Sequence, residues 1–227
     1  MKKVVTVMIG VITTFASFSQ LSIGVQGTGN LSDASIEAPD LFKPTKKMKV
    51  LPGAGIVADL RLNPGLLLRT GINYQQQGIN LETSFGGFGG EIEEISTISK
   101  VNLQYIQVPL NLLFTTKGST QFFAGGGPYL SFAVSGKSKN ETTYKFSDGA
   151  ISTEKEELDV FEKDEDGNTS FKRTDFGLGI MAGVKLPGGL FANVGYQYSL
   201  ANLSKDDNAK YRNRGLQLTI GYYLFSR

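Results

Sequence analysis

Five charged residues sit inside segments that otherwise alternate between apolar and polar side chains: Asp59, Arg61, Arg69, Asp175 and Lys185. Two carboxylates could share general acid–base work, and a neighbouring Arg or Lys could hold an anion. The remaining composition argues against catalysis. The 227-residue chain contains no His, Cys or Trp. Without His it lacks the usual general base and the commonest metal ligand. Without Cys it has no disulfides, thiol nucleophile or zinc–thiolate site. Buried charges normally pair. Asp59 and Asp175 are therefore read as anions of an interior polar network with Arg61, Arg69 and Lys185, completed by Gln107 and Gln197. No catalytic, cofactor or metal residue is expected, and the chain is read as not an enzyme.

Two further motifs are weak. Asp164-Glu-Asp-Gly-Asn168 faintly suggests a calcium loop, but the sixth position, which needs Gly, holds Thr169. It falls within Glu154 to Asp166, a run of eight acidic residues and two lysines that reads as a solvated loop, at most a loose cation binder. Gly125-Gly126-Gly127-Pro128 lies within a strand pattern and not before a helix, so it is no phosphate cradle. It suggests a bend or bulge.

The elements that position these residues are strands. From Leu216 to Leu224 every second residue is apolar (Leu216, Leu218, Ile220, Tyr222, Leu224), opposite Gly215, Gln217, Thr219, Gly221 and Tyr223. Side chains alternate across a strand, so each such segment borders two different media. Eight segments show the pattern, at about 21–31, 50–62, 66–81, 99–115, 120–135, 172–185, 190–202 and 214–225. Asn63-Pro64-Gly65, Lys117-Gly118-Ser119 and Pro187-Gly188-Gly189 are tight turns. The polar stretches 32–48, 82–97 and 136–171 read as long loops, with a shorter one near 205–210. Connections that alternate long and short around an even number of strands are the signature of a transmembrane β-barrel.

The charged residues all lie opposite the apolar stripes. An Arg or Lys facing mid-bilayer lipid costs about 2–4 kcal/mol, which orients the polar faces inward. Phe114, Phe122, Tyr222 and Phe225 at the short-turn end, with Tyr74, Phe132 and Tyr198 toward the other, fit interfacial girdles. The N-terminus reads as a signal peptide over 1–19: Lys2 and Lys3, an apolar run from Val4 to Phe18, then small residues Ser17 and Ser19 before a cut ahead of Gln20. Residues 20–227 form the barrel domain. Eight strands leave room only for side chains, so Arg61, Arg69, Tyr105, Gln107 and Gln197 are expected to fill the bore.

The pieces Leu60-Arg-Leu-Asn-Pro-Gly65, Asn73-Tyr-Gln-Gln-Gln-Gly78, Leu103-Gln-Tyr-Ile-Gln-Val-Pro-Leu-Asn-Leu112, Ala124-Gly-Gly-Gly-Pro-Tyr129, Asp175-Phe-Gly-Leu-Gly179 and Gly195-Tyr-Gln-Tyr198 occur in one order along the mature chain. In that order they resemble the PorT-like outer-membrane β-barrel proteins of Bacteroidota. The resemblance implies an all-β, eight-stranded, up-and-down antiparallel barrel in the outer membrane. It implies no settled activity, although one namesake member takes part in secretion and gliding. The expected partners are outer-membrane lipid, the barrel-assembly machinery and an unknown protein bound through the loops, with no nucleic acid. A scaffold or interaction role is favoured. The alternatives are a narrow channel for small solutes or ions, or an accessory part of a secretion system.

Overall fold

The computed structural model describes residues 20–37, 45–86, 91–162, 169–205 and 209–225. The expected leader, residues 1–19, and the calcium-like stretch 164–168 lie outside them. Ten strands follow in order: β1 (Leu21–Glu37), β2 (Thr45–Lys47), β3 (Lys49–Asn63), β4 (Leu66–Gly86), β5 (Ile92–Thr115), β6 (Gln121–Phe146), β7 (Ile151–Asp159), β8 (Thr174–Lys185), β9 (Leu190–Ser199) and β10 (Lys210–Phe225).

Eight of them close a ring, β1-β3-β4-β5-β6-β8-β9-β10, each antiparallel to its neighbours. The closing seam runs from Ile23 opposite Phe225 to Glu37 opposite Lys210. Closure leaves no unpaired wall edge, which hydrocarbon would not tolerate. The short turns suit their sequences. Gly118, Gly188 and Gly189 hold φ of 120°, 87° and 94°, which side chains rarely adopt.

The alternation sorts the wall into two faces. Ile106, Val108, Leu110, Leu112 and Phe114 of β5 point outward, while Tyr105, Gln107, Asn111 and Leu113 are buried inside. The outward run spans roughly 26 Å of strand, enough at barrel tilt to cover most of a hydrocarbon band. Exposed apolar residues continue around the ring, for example Ile56, Phe132, Ile180 and Leu218. A belt of this extent does not persist in water. The medium around it is hydrocarbon.

Three sequence expectations need correction. The stretches 32–48, 82–97 and 136–171 are not simply loops: β1 continues to Glu37, and β2 pairs with β4 from Thr45 opposite Glu82 to Lys47 opposite Asn80. β4, β5 and β6 run on past the lipid-facing band, and β7 folds back onto β6 from Lys145 opposite Ile151 to Lys137 opposite Asp159. Part of the acidic run is therefore strand. Gly125–Pro128 is not a bulge, because its register with β8 is continuous from Gln121 to Phe132. The shift lies further along β6. There Gln104 faces Ser135 and Tyr105 faces Ala133, leaving Val134 as an extra residue. Before Val134 the even residues of β6 point outward; after it the odd ones do.

Candidate functional site

The bore is filled in three layers. At the short-turn end, β3 and β4 bring Asp59 directly opposite Arg69. The Arg69 guanidinium donates through Nε to Asp59 Oδ1 and through Nη2 to Asp59 Oδ2, each at 2.8 Å. Nη2 also donates to the Tyr223 hydroxyl at 2.6 Å, and that hydroxyl in turn donates to Asp59 Oδ2. The guanidinium lies 4.4 Å from the Phe123 ring centroid and 5.1 Å from that of Phe191. Arg69 is 4% exposed and Asp59 7%, so the pair is shielded from bulk water. Leu67, Leu113 and Phe123 pack beside it.

The middle layer is built of amides. Gln107 donates to Gln197 at 3.1 Å, Gln217 to Gln197 at 2.9 Å, and Gln26 to Asn73 at 2.8 Å. A cavity of about 40 Å³ remains between them and Arg69. That is room for a few waters and no larger solute.

The third layer closes the long-connection end. Asp175 is fully buried, and the partners its carboxylate shows among the described residues are neutral. It accepts from the Ser199 hydroxyl at 2.6 Å and from Asn213 Nδ2 at 3.0 Å, and Asn213 also donates to the Tyr105 hydroxyl. Above it lies an apolar cap in which Val160, Phe161, Ala201 and Leu203, from the connections, pack on Ile79, Leu103 and Tyr211 of the wall. The two connections are tied together by Lys172 N–H donating to Leu203 O at 2.8 Å, and Leu203 is tied to the wall by its N–H donating to Tyr211 O at 2.8 Å. The Arg173 guanidinium stacks 4.4 Å from the Phe161 ring.

Of the seven interior residues read from sequence, Asp59 and Arg69 meet each other, and Gln107 meets Gln197. Asp175 is held apart at the opposite end of the bore, among neutral partners. Arg61 is half-buried at the short-turn end and donates to Gln121 Oε1 at 3.1 Å. Lys185 is also half-buried, its ammonium 4.6 Å from the Tyr223 ring. Sequence reasoning missed the capping residues, although Val160-Phe161 is a conspicuous apolar pair inside an acidic run. It also missed the ion pair at the seam, where Arg214 Nη2 lies 2.5 Å from Asp33 Oδ2.

Beyond the wall stands a sheet formed by the outer parts of β4, β5 and β6 with β7, edged on the β4 side by the three-residue β2. From Ile106, the last outward apolar residue of β5, to Ile92 is roughly 45 Å of strand. Exposed ion pairs bridge its strands: Glu157 takes Lys137 at 2.6 Å and Lys139 at 2.8 Å, Glu93 takes Lys145 at 3.0 Å, and Glu82 takes Lys47 at 2.7 Å. Hydrogen bonds from Lys137 and Lys139 hold the Glu157 carboxyl down at about 2. Among the described residues, no group of three acidic, His or Cys side chains could hold a metal ion.

A family model described as outer membrane protein beta-barrel domain matches residues 15–205. The chain belongs to that family. It is an integral outer-membrane β-barrel, and its exposed apolar belt is the part that meets lipid. No curated protein matches it significantly. Among solved structures it is similar to Ail, the attachment invasion locus protein of Yersinia pestis, in complex with the heparin analogue sucrose octasulfate. That match has 11% identity and a TM-score of 0.36, covering 89% of this chain and 98% of that one. It is similar also to the outer membrane protein OprG from Pseudomonas aeruginosa, at 13% identity and a TM-score of 0.38, covering 91% and 95%. Neisserial surface protein A matches at 16% identity and a TM-score of 0.32, covering 89% and 97%.

Proposed function

We propose that this outer-membrane barrel is a non-enzymatic interaction protein, whose long-connection end faces the cell exterior and presents the projecting sheet to a partner. One observation carries the reading. The bore is packed at both ends, by Arg69 with Asp59 and Tyr223 and by the cap around Phe161, while a hydrogen-bonded sheet extends beyond the wall. A transport protein needs the reverse arrangement. The orientation follows the family rule that long connections lie outside and short turns face the periplasm. Residues 1–19 serve as its signal peptide, and the barrel-assembly machinery inserts it. The PorT-like motifs support a place among the Bacteroidota barrels, with an accessory role in secretion as the alternative. The amide layer supports a narrow channel as the second reading.

Two measurements test the proposal together. Photo-crosslinkers placed on the sheet should capture a defined protein in native outer membranes. Planar-bilayer recording of the refolded barrel should show no stable openings. Capture of nothing, or open steps of porin size, overturns the reading.

A further inference from the structure

The outer strand of the projecting sheet is paired on one side only. Among the described residues β7 bonds only to β6, and none of them pairs with its other edge. All nine of its residues are exposed. The ladder phase fixes which groups the edge offers. Val160 N–H donates to Gly136 O, and Phe146 N–H donates to Ala150 O. With the register of Lys137 opposite Asp159, the even residues of β7 are the ones bonded to β6. The N–H and C=O of Thr153, Lys155 and Glu157 therefore point away from the sheet, as an unused template for another strand.

The side chains state what that strand should carry. β7 bears four carboxylates and one Lys. Glu157 is engaged by two lysines of β6. Glu154 and Glu156 form no ion pair among the described residues, and they lie on one face opposite the neutral Thr142 and Asn140. Leu158 follows on the same face at 46% exposure. A second copy of the chain fits poorly across the charged half of the strand, from Glu154 to Asp159. A two-fold antiparallel pairing centred on Lys155 opposes Lys to Lys and Glu154 to Glu156, and centring on Glu154 or Glu156 opposes Glu to Glu. Like charges directly opposite one another are destabilising.

We propose that the outer edge of β7 binds an extended basic peptide segment by strand addition, with cations at two alternating positions opposite Glu156 and Glu154 and an apolar residue opposite Leu158. This rests on the interaction role proposed above and names the chemistry of the partner. Main-chain bonds supply affinity and the alternating side chains supply selectivity, as in other strand-addition complexes.

The test uses the purified full chain in detergent micelles and the capped peptide Val-Thr-Lys-Thr-Lys-Thr-Val, followed by fluorescence anisotropy. Three comparisons decide it. Replacing both peptide Lys residues by Glu should abolish binding, and the Glu154→Gln/Glu156→Gln variant should weaken it about tenfold, the worth of two cross-strand charge pairs. N-methylation of the three Thr residues, which keeps every charge, should abolish binding. Thr153→Pro should do the same while leaving the β6 ladder intact, because the Thr153 N–H is not part of it. Equal binding of the N-methylated peptide, or no binding of the unmodified one, overturns the proposal. If the peptide fails while native crosslinking on the sheet still captures a protein, strand addition falls and the interaction role stands. If both fail, the interaction role falls too.

Discussion

Arg69→Met tests the claim that a buried ion pair plugs the short-turn end. Met keeps most of the side-chain volume between Phe123 and Phe191 but removes the cation. Asp59 then loses two charge-assisted bonds of 2.8 Å and keeps only the Tyr223 hydroxyl. Breaking one side of a buried pair costs about 3–5 kcal/mol, because the remaining charge is stranded. The lost stacking on two rings lies within that figure. With a urea slope of about 2 kcal/mol per molar, the unfolding midpoint in detergent should fall by about 2 M. Far-UV circular dichroism and heat-modifiable gel mobility read it, since the chain has no Trp. The double variant Arg69→Met/Asp59→Leu removes both charges and should recover most of the loss. A single variant that loses less than about 1 kcal/mol, or a double variant no better than the single, would mean the pair is solvated and the bore is not sealed there.

The outward and inward faces make opposite predictions at neighbouring positions. Leu110→Arg should cost about 2–4 kcal/mol of folding free energy in lipid, whereas Gln197→Leu should cost less and leave the barrel closed; urea titration in liposomes compares them. Phe161→Ala should remove about 3–5 kcal/mol from the cap, seen as lost hydrogen-exchange protection over residues 160–162 and 169–173 while the wall stays protected. Glu157 has a carboxyl held below its ordinary value, so its attraction to Lys137 and Lys139 is fully present above about pH 4.5 and disappears as the pH falls toward 2. Its carboxyl carbon should titrate near 2 by NMR, and Lys137→Gln/Lys139→Gln should return the midpoint toward 4.5.

The wall could be read from sequence because the bilayer punishes error on one face only. Ile106 to Phe114 repeat strictly since each outward position meets hydrocarbon and each inward one a packed, polar bore. Even the Asp59–Arg69 pairing was within reach, because the turn at Pro64-Gly65 sets the two strands nearly in register; a shift between Arg61 and Asn63 makes them directly opposite. Beyond the lipid that asymmetry vanishes. Glu82 to Gly86 and Ile92 to Ser99 are strand with polar residues on both faces, so no period marks them. β7 reads as a charge run for the same reason. The cap was hidden differently: Phe161 and Leu203 are isolated apolar residues whose burial depends on two connections meeting over the mouth. The separation of Asp175 from the other charges is likewise a matter of height along the bore, which residue type does not encode.

Val134 has a consequence for how the gene can vary. As the extra residue of β6 it works as a half-turn in the ribbon, letting one strand serve two masters with opposite parity. Lose that one codon and Lys137 and Lys139 would swing from the water side toward Phe161 and Leu103, where Gly136 now leaves no space even for a methyl group. Shortening the hairpin beyond it by residue pairs would disturb nothing below. Length drift in the outer hairpin should therefore come in steps of two, while the position of the extra residue stays fixed.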